Sequence, residues 1–230
     1  MISLRLAEAR GHTKTAWLDS RHSFSFADYR DPNYIHYRSL RVINQDIIQP
    51  GKGFAMHPHH DMEILTYILR GNLEHRDSLG NHGIIATGEM QRMTAGTGIL
   101  HSEFNASNTD PVELLQIWIF PAQKQLVPGY QQQSFIHSTD KLQKMVSATG
   151  EQQTLTIHQD VNVYRGWLLA GQTLNHDIAK DRYLWLQQIG GQLEVEGHVI
   201  KPGDGVALQK RTKLSIMALE EAEFLLFDLA

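Results

Sequence analysis

Short apolar runs broken by Gly, Asn, Asp or Pro recur along this sequence, and long stretches with helical periodicity are hard to find. Such a chain builds its core from sheets, so the expected class is all-β with few short helices. Strands are predicted over 41–47, 63–69, 73–77, 89–94, 113–120, 155–169, 182–190, 193–195, 206–208 and 223–228. Turns are predicted at Arg70-Gly71-Asn72, Leu79-Gly80-Asn81, Gly190-Gly191 and Pro202-Gly203-Asp204. One short helix is predicted over 138–145.

The rhythm is interrupted at 121–133, PAQKQLVPGYQQQ, a polar stretch with two prolines. Read as a connection, it divides the chain into a barrel over 1–122, a linker over 123–134 and a second barrel over 135–230. A length of 230 residues suits two small barrels. In each half a strand, a glycine turn and a second strand lead to a further turn, Gly88-Glu89 in the first and Pro202-Gly203-Asp204 in the second. That parallel suggests duplication of one unit.

Composition narrows the chemistry. Hydrophobic residues make up 41% and charged residues 20%, as in a globular protein with a real core. The net charge is −4 and the basic residues are scattered, so nucleic acid is not an expected ligand. The opening MISLRLAEARGH carries charges where a signal peptide needs an apolar stretch, and no run reaches membrane-spanning length. A cytoplasmic protein is expected. There are no cysteines, which removes disulfides, thiolate zinc sites and cysteine nucleophiles. Any metal site must use nitrogen and oxygen donors, and thirteen histidines supply the first kind.

Two segments stand out. In GKGFAMHPHHDME, His57 and His59 are two apart; in AGTGILHSEFN, so are His101 and Glu103. Residues i and i+2 of a strand point the same way, with Cα atoms roughly 6.6 Å apart. Two antiparallel strands offering such pairs to a barrel interior would bring four donors to one point. Either pair alone is commonly surface decoration or a hydrogen-bonded pair; their joint appearance, flanked by barrel-corner glycines, points to a metal. Three imidazoles with one carboxylate suit a single divalent Fe, Ni, Cu, Co, Mn or Zn ion better than calcium or magnesium.

Other residues divide between bland and functional readings. His60 has the wrong strand parity and is expected to face outward or cap the loop. Glu63 shares parity with His59, which makes it either a fifth donor or a hydrogen-bonded carboxylate near the rim. Gly96-Thr97-Gly98 has no following helix or lysine and reads as a turn delivering His101 rather than a phosphate cradle. Met56, Met62, Met90, Met93, Trp17, Phe24, Phe26 and Trp118 are expected as core first and pocket wall second. Glu74-His75 cannot act as a dyad, because strand neighbours point to opposite faces.

The stretches WLDSRHSFSFADYRDPN, GFAMHPHHDMEILTYILRGNLEHRDSLGN and MTAGTGILHSEFN closely resemble the pirin family of bicupins, particularly its bacterial members with quercetinase activity. The likeness is dense in the first half and loose in the second. It implies two double-stranded β-helix barrels face to face, with metal only in the first, held by His57, His59, His101 and Glu103. Seven residues separate Glu63 from Gly71 where the broad cupin motif has six, and Gly96 stands where that motif often has proline. Both departures argue against a Glu63 ligand. In the second half His176 and His198 lack a paired histidine or glutamate, so that barrel is expected to be metal-free.

The resemblance further implies quercetin 2,3-dioxygenase activity, in which a flavonol's central ring is opened with O2 and carbon monoxide is released. Glu103 is then the carboxylate expected to take the 3-hydroxyl proton. The competing class is a non-catalytic metal-binding regulatory protein of the pirin type, with a protein partner. Another cupin enzyme, such as a sugar isomerase, is a further alternative. A monomer is expected.

Overall fold

The computed structural model describes residues 1–135 and 140–230. Its first half contains β1 (Ile2–Arg5), β2 (Gly11–Lys14), β3 (Leu18–His22), β4 (Leu40–Ile48), β5 (Gly53–His59), β6 (Glu63–Arg70), β7 (Asn72–Asp77), β8 (His82–Ala86), β9 (Glu89–Thr94), β10 (Ile99–Asn105), β11 (Val112–Ile119) and β12 (Gly129–Ser134). The second half contains β13 (Leu142–Ser147), β14 (Leu155–Thr156), β15 (Val161–Leu168), β16 (Thr173–Asp177), β17 (Tyr183–Gly190), β18 (Leu193–Val195), β19 (His198–Ile200), β20 (Gly205–Leu208), β21 (Lys213–Ala218) and β22 (Ala222–Leu229). Among the described residues the only helical turns are 3-10 turns at Ala7–Ala9 and Glu151–Gln153. None is long or apolar enough to cross a membrane.

The strands form two matching pairs of sheets. One half has a seven-stranded sheet, β12-β9-β6-β11-β4-β3-β2, and a four-stranded sheet, β5-β10-β7-β8. The other has β1-β20-β17-β22-β15-β13-β14 and β16-β21-β18-β19. The two seven-stranded sheets face each other. Leu65, Tyr67, Leu115 and Ile117 from one pack with Val163, Trp185, Leu225 and Phe227 from the other in a single apolar cluster. Both faces of the central strands are therefore buried, which explains the near-continuous apolar runs at β6, β11 and β22.

Several predicted boundaries shift. The stretch predicted as one strand over 155–169 is two, β14 and β15. Leu142–Ser147, within and beyond the predicted helix, is strand β13, because Met145 and Val146 are buried in the shared core. Residues 138–139 of that prediction lie outside the described residues. The last six residues of the predicted linker form β12, which pairs with β9. At the opposite edge, β1 pairs with β20 of the second half. The second half thus has one sheet edge covered by a strand from the first, which removes exposed ladder groups there.

The halves differ in what fills them. Between the sheets of the second half, Leu184, Leu186, Leu193, Leu214, Ile216, Phe224 and Leu226 form a closed apolar core. In the first half the corresponding space is partly a cavity of about 610 Å³, and it contains the candidate site.

Candidate metal centre

β5 and β10 are adjacent antiparallel strands, with His57 opposite His101. The register shifts between His101 and Glu103, so that Glu103 stands opposite Phe54. Gly53 makes this approach possible: a Cβ there would overlap the Glu103 carbonyl oxygen. Gly96, at φ +48°, lies against the Leu126 carbonyl in the turn before β10, as expected for a turn that delivers His101.

Donor atoms of His57, His59 and His101 all lie within 4.8 Å of one another. The three rings sit edge to face or tilted, with centroids 4.4 to 4.9 Å apart. His57 Nδ1 is 2.7 Å from the Ala55 carbonyl oxygen, to which it donates; Nε2 is left as the lone-pair nitrogen. Both ring nitrogens of His101 are buried without a hydrogen-bond partner. An imidazole so placed is costly to bury unless something coordinates it. Burial, reinforced by neighbouring histidines, lowers the pKa of His59 to about 4 and of His101 to about 3. The rings of His59 and His101 are therefore neutral at pH 7, the state a metal requires.

Glu103 approaches from the side of β7. A carboxylate oxygen lies within 4.8 Å of donor atoms of His101 and His75. Gln116 Nε2 donates to Glu103 Oε2 at 2.9 Å, and Thr66 Oγ1 lies 3.3 Å from Oε1. Thr66 Oγ1 donates its one proton to Gln116 Oε1 at 2.8 Å, so it braces the Gln116 amide, which in turn fixes the carboxylate's orientation. His57, His59 and His101 form one cluster and His75, His101 and Glu103 a second, joined through His101; these nitrogen and oxygen donors are of the kind that fits a divalent transition metal.

His75 is the neighbour that sequence reasoning missed. Its ring is buried 5.4 Å from that of His101. Nε2 donates to Asp77 Oδ2 at 3.3 Å, and Nδ1 accepts from Gln91 Nε2 at 3.2 Å. The Glu74-His75 pair is not a dyad, as expected, but the shared face of His75 and Asp77 was a signal available from their i, i+2 spacing.

The remaining candidates separate cleanly. His60 is 80% exposed. Glu63 is fully buried but faces the second half with Leu65 and Tyr67, where it meets Thr94 at 3.1 Å and His158 at 3.2 Å. Asp61, at φ +49°, breaks the strand alternation that seemed to tie Glu63 to His59. Trp17, Phe26 and Trp118 line the cavity, whereas Phe24, Met90 and Met93 are core and Met56 is exposed. Trp118 packs edge-on against His59 at 5.0 Å.

Residues 3–119 match the family model for pirin, and residues 144–229 match the model described as the quercetinase C-terminal cupin domain. The chain belongs to the pirin family. Quercetin 2,3-dioxygenase of Escherichia coli K12 is 46% identical to this pirin-family chain over 229 residues, covering 100% of it and 99% of the relative. A protein of Pasteurella multocida named as a putative quercetin 2,3-dioxygenase is 45% identical, with both chains fully covered. Among solved structures, the bacterial pirin YhhW of Escherichia coli in complex with nickel(II) superposes with a TM-score of 0.96 at 45% identity. It covers 100% of this chain and 99% of that one. The pirin bicupin arrangement of two barrels is thereby the fold of this chain.

Proposed function

We propose that this chain is a metal-dependent quercetin 2,3-dioxygenase, and that His57, His59, His101 and Glu103 hold its one divalent transition-metal ion. The carrying observation is the buried His101 ring with two unpartnered nitrogens, set among two more imidazoles at the wall of an aromatic-lined cavity. The names of the relatives support the substrate, a flavonol such as quercetin, together with O2. The nickel complex of the 45% identical pirin supports the ion.

When bound, the ion supplies Lewis acidity to an oxygen of the substrate. The protein supplies the rest. His57, His59 and His101 act as nitrogen donors and take no part in proton transfer. Glu103 accepts the flavonol 3-hydroxyl proton on a carboxylate oxygen, held in position by Gln116, itself braced by Thr66. Trp17, Phe26, Phe54 and Trp118 present apolar faces to a flat ring system and keep water from it.

The division into a metal barrel over 1–122 and a metal-free barrel over 135–230 belongs to the same proposal, with the edge strands β1 and β12 placed as described above. So does a cytoplasmic monomer with no nucleic-acid ligand, supported by the modest and scattered charge.

The test is an oxygen-dependent loss of the flavonol absorbance band with carbon monoxide release, abolished in His57→Ala. Metal-loaded protein that leaves quercetin untouched would refute the dioxygenase reading.

A further inference from the structure

The cavity wall on the seven-stranded sheet carries polar side chains in rows. Gln116, Asn44 and His22 stand opposite one another across β11, β4 and β3, and Leu114, Asp46 and Ser20 form the next row. Thr13 pairs with Ser20 from β2. Asn44 and Asp46, two apart on β4, share the cavity face and are only 2% and 3% exposed.

This strip is held together by its own hydrogen bonds. His22 Nδ1 donates to Asn44 Oδ1 at 2.8 Å, so Nε2 accepts from Thr13 Oγ1 at 2.9 Å. Ser20 Oγ donates to Asp46 Oδ1. Each bond uses one polar atom of the amide or the carboxyl and leaves the other. Among the described residues, Asn44 Nδ2 and Asp46 Oδ2 have no protein partner. Both side chains line the space in which a substrate would sit, so these two atoms are open to a hydroxyl group of a ligand there.

We propose that Asn44 and Asp46 form a hydroxyl-recognition subsite, which selects flat polyphenols carrying a second hydroxyl group on the side of Gln116 away from Glu103. Asn44 lies one strand spacing beyond Gln116, itself bonded to Glu103, so the two anchors stand roughly 7 to 8 Å apart. That span matches a fused bicyclic ring system. Trp17, Leu18, Phe26 and Phe54 line the same cavity and cover the ring faces. The identity of the first anchor rests on the dioxygenase reading; the subsite itself rests on the strip.

The experiment compares quercetin with 3-hydroxyflavone, which keeps the anchoring hydroxyl and lacks the others. Dissociation constants come from anaerobic quenching of tryptophan fluorescence, and kcat and KM from the same metal-assayed preparations. The wild-type chain is expected to bind quercetin about tenfold or more tightly than 3-hydroxyflavone. Asp46→Leu and Asn44→Leu are expected to bring that preference below about threefold, with the change carried in KM and the metal content retained. Ser20→Ala, which frees the Asp46 carboxyl, shifts the preference in the same direction and decides the matter if the leucine variants do not fold. A wild-type chain without preference, or a preference that survives in folded variants, overturns the proposal. Preference that the variants erase, in a protein that does not consume quercetin, supports the subsite and refutes the dioxygenase reading instead.

Discussion

Gln116 holds Glu103 from the neighbouring sheet, its Nε2 donating to Oε2 across 2.9 Å. Carboxylates around metals depend on such partners for their orientation, and losing one typically costs 10- to 100-fold in affinity. Gln116→Leu is therefore expected to weaken nickel or iron binding by about that factor while leaving the fold intact. Competition with a chromophoric chelator measures it; unchanged affinity would show that Glu103 needs no support.

Ligand linkage gives a second expectation. An ion that binds only the folded chain stabilises it by about 2.7 kcal/mol at a hundredfold excess over its dissociation constant. For a chain of this size that is a rise of roughly 5 to 10 °C in melting temperature. His101→Gln is expected to abolish the rise, since its ring is the buried donor common to both ligand clusters. Scanning calorimetry with and without metal tests this directly.

Acid should destabilise the metal-free protein in a defined window. Burial lowers His59 to about 4 and His101 to about 3, whereas in the unfolded chain each titrates near 6.5. Between those limits the unfolded state binds more protons, so these two groups make stability fall as pH drops from about 6.5 towards 3. Asp46 acts in the opposite sense: burial pushes its carboxyl up to about 7, so its contribution declines as pH rises from about 4 through 7. Urea midpoints across pH for His101→Gln and Asp46→Asn separate the two. The first variant should flatten the acid limb, and the second should gain stability, on the order of 2 kcal/mol, above pH 7.

The two halves should unfold together. Tyr67 donates to Glu223 Oε1 at 2.7 Å across the shared core, and Arg165 Nε donates to the same oxygen at 2.6 Å. Tyr67→Phe is expected to cost about 1 to 2 kcal/mol and to leave one cooperative transition. Two resolved transitions in circular dichroism would contradict a common core.

Strand periodicity made part of this site legible without coordinates. The i, i+2 pairs His57/His59 and His101/Glu103 declare a shared face as soon as their segments are read as strands, and the missing second pair leaves His176 and His198 without a partner. The same rule gave Glu63 the parity of His59, but one left-handed residue at Asp61 intervenes, and Glu63 is the buried hydrogen-bonded carboxylate that was its other reading.

What sequence alone determined was local: strand character, turn positions, the parity of close neighbours and the absence of thiolate ligands. Which strands lie side by side was decided only by tertiary packing. The pairing of β10 with β7 sets His75 beside His101, and the row Gln116, Asn44, His22 exists only once β11, β4 and β3 are in register. Those neighbours are tens of residues apart in the chain. Their meeting depends on burying two sheet faces at once, a condition on the whole fold that no short segment encodes.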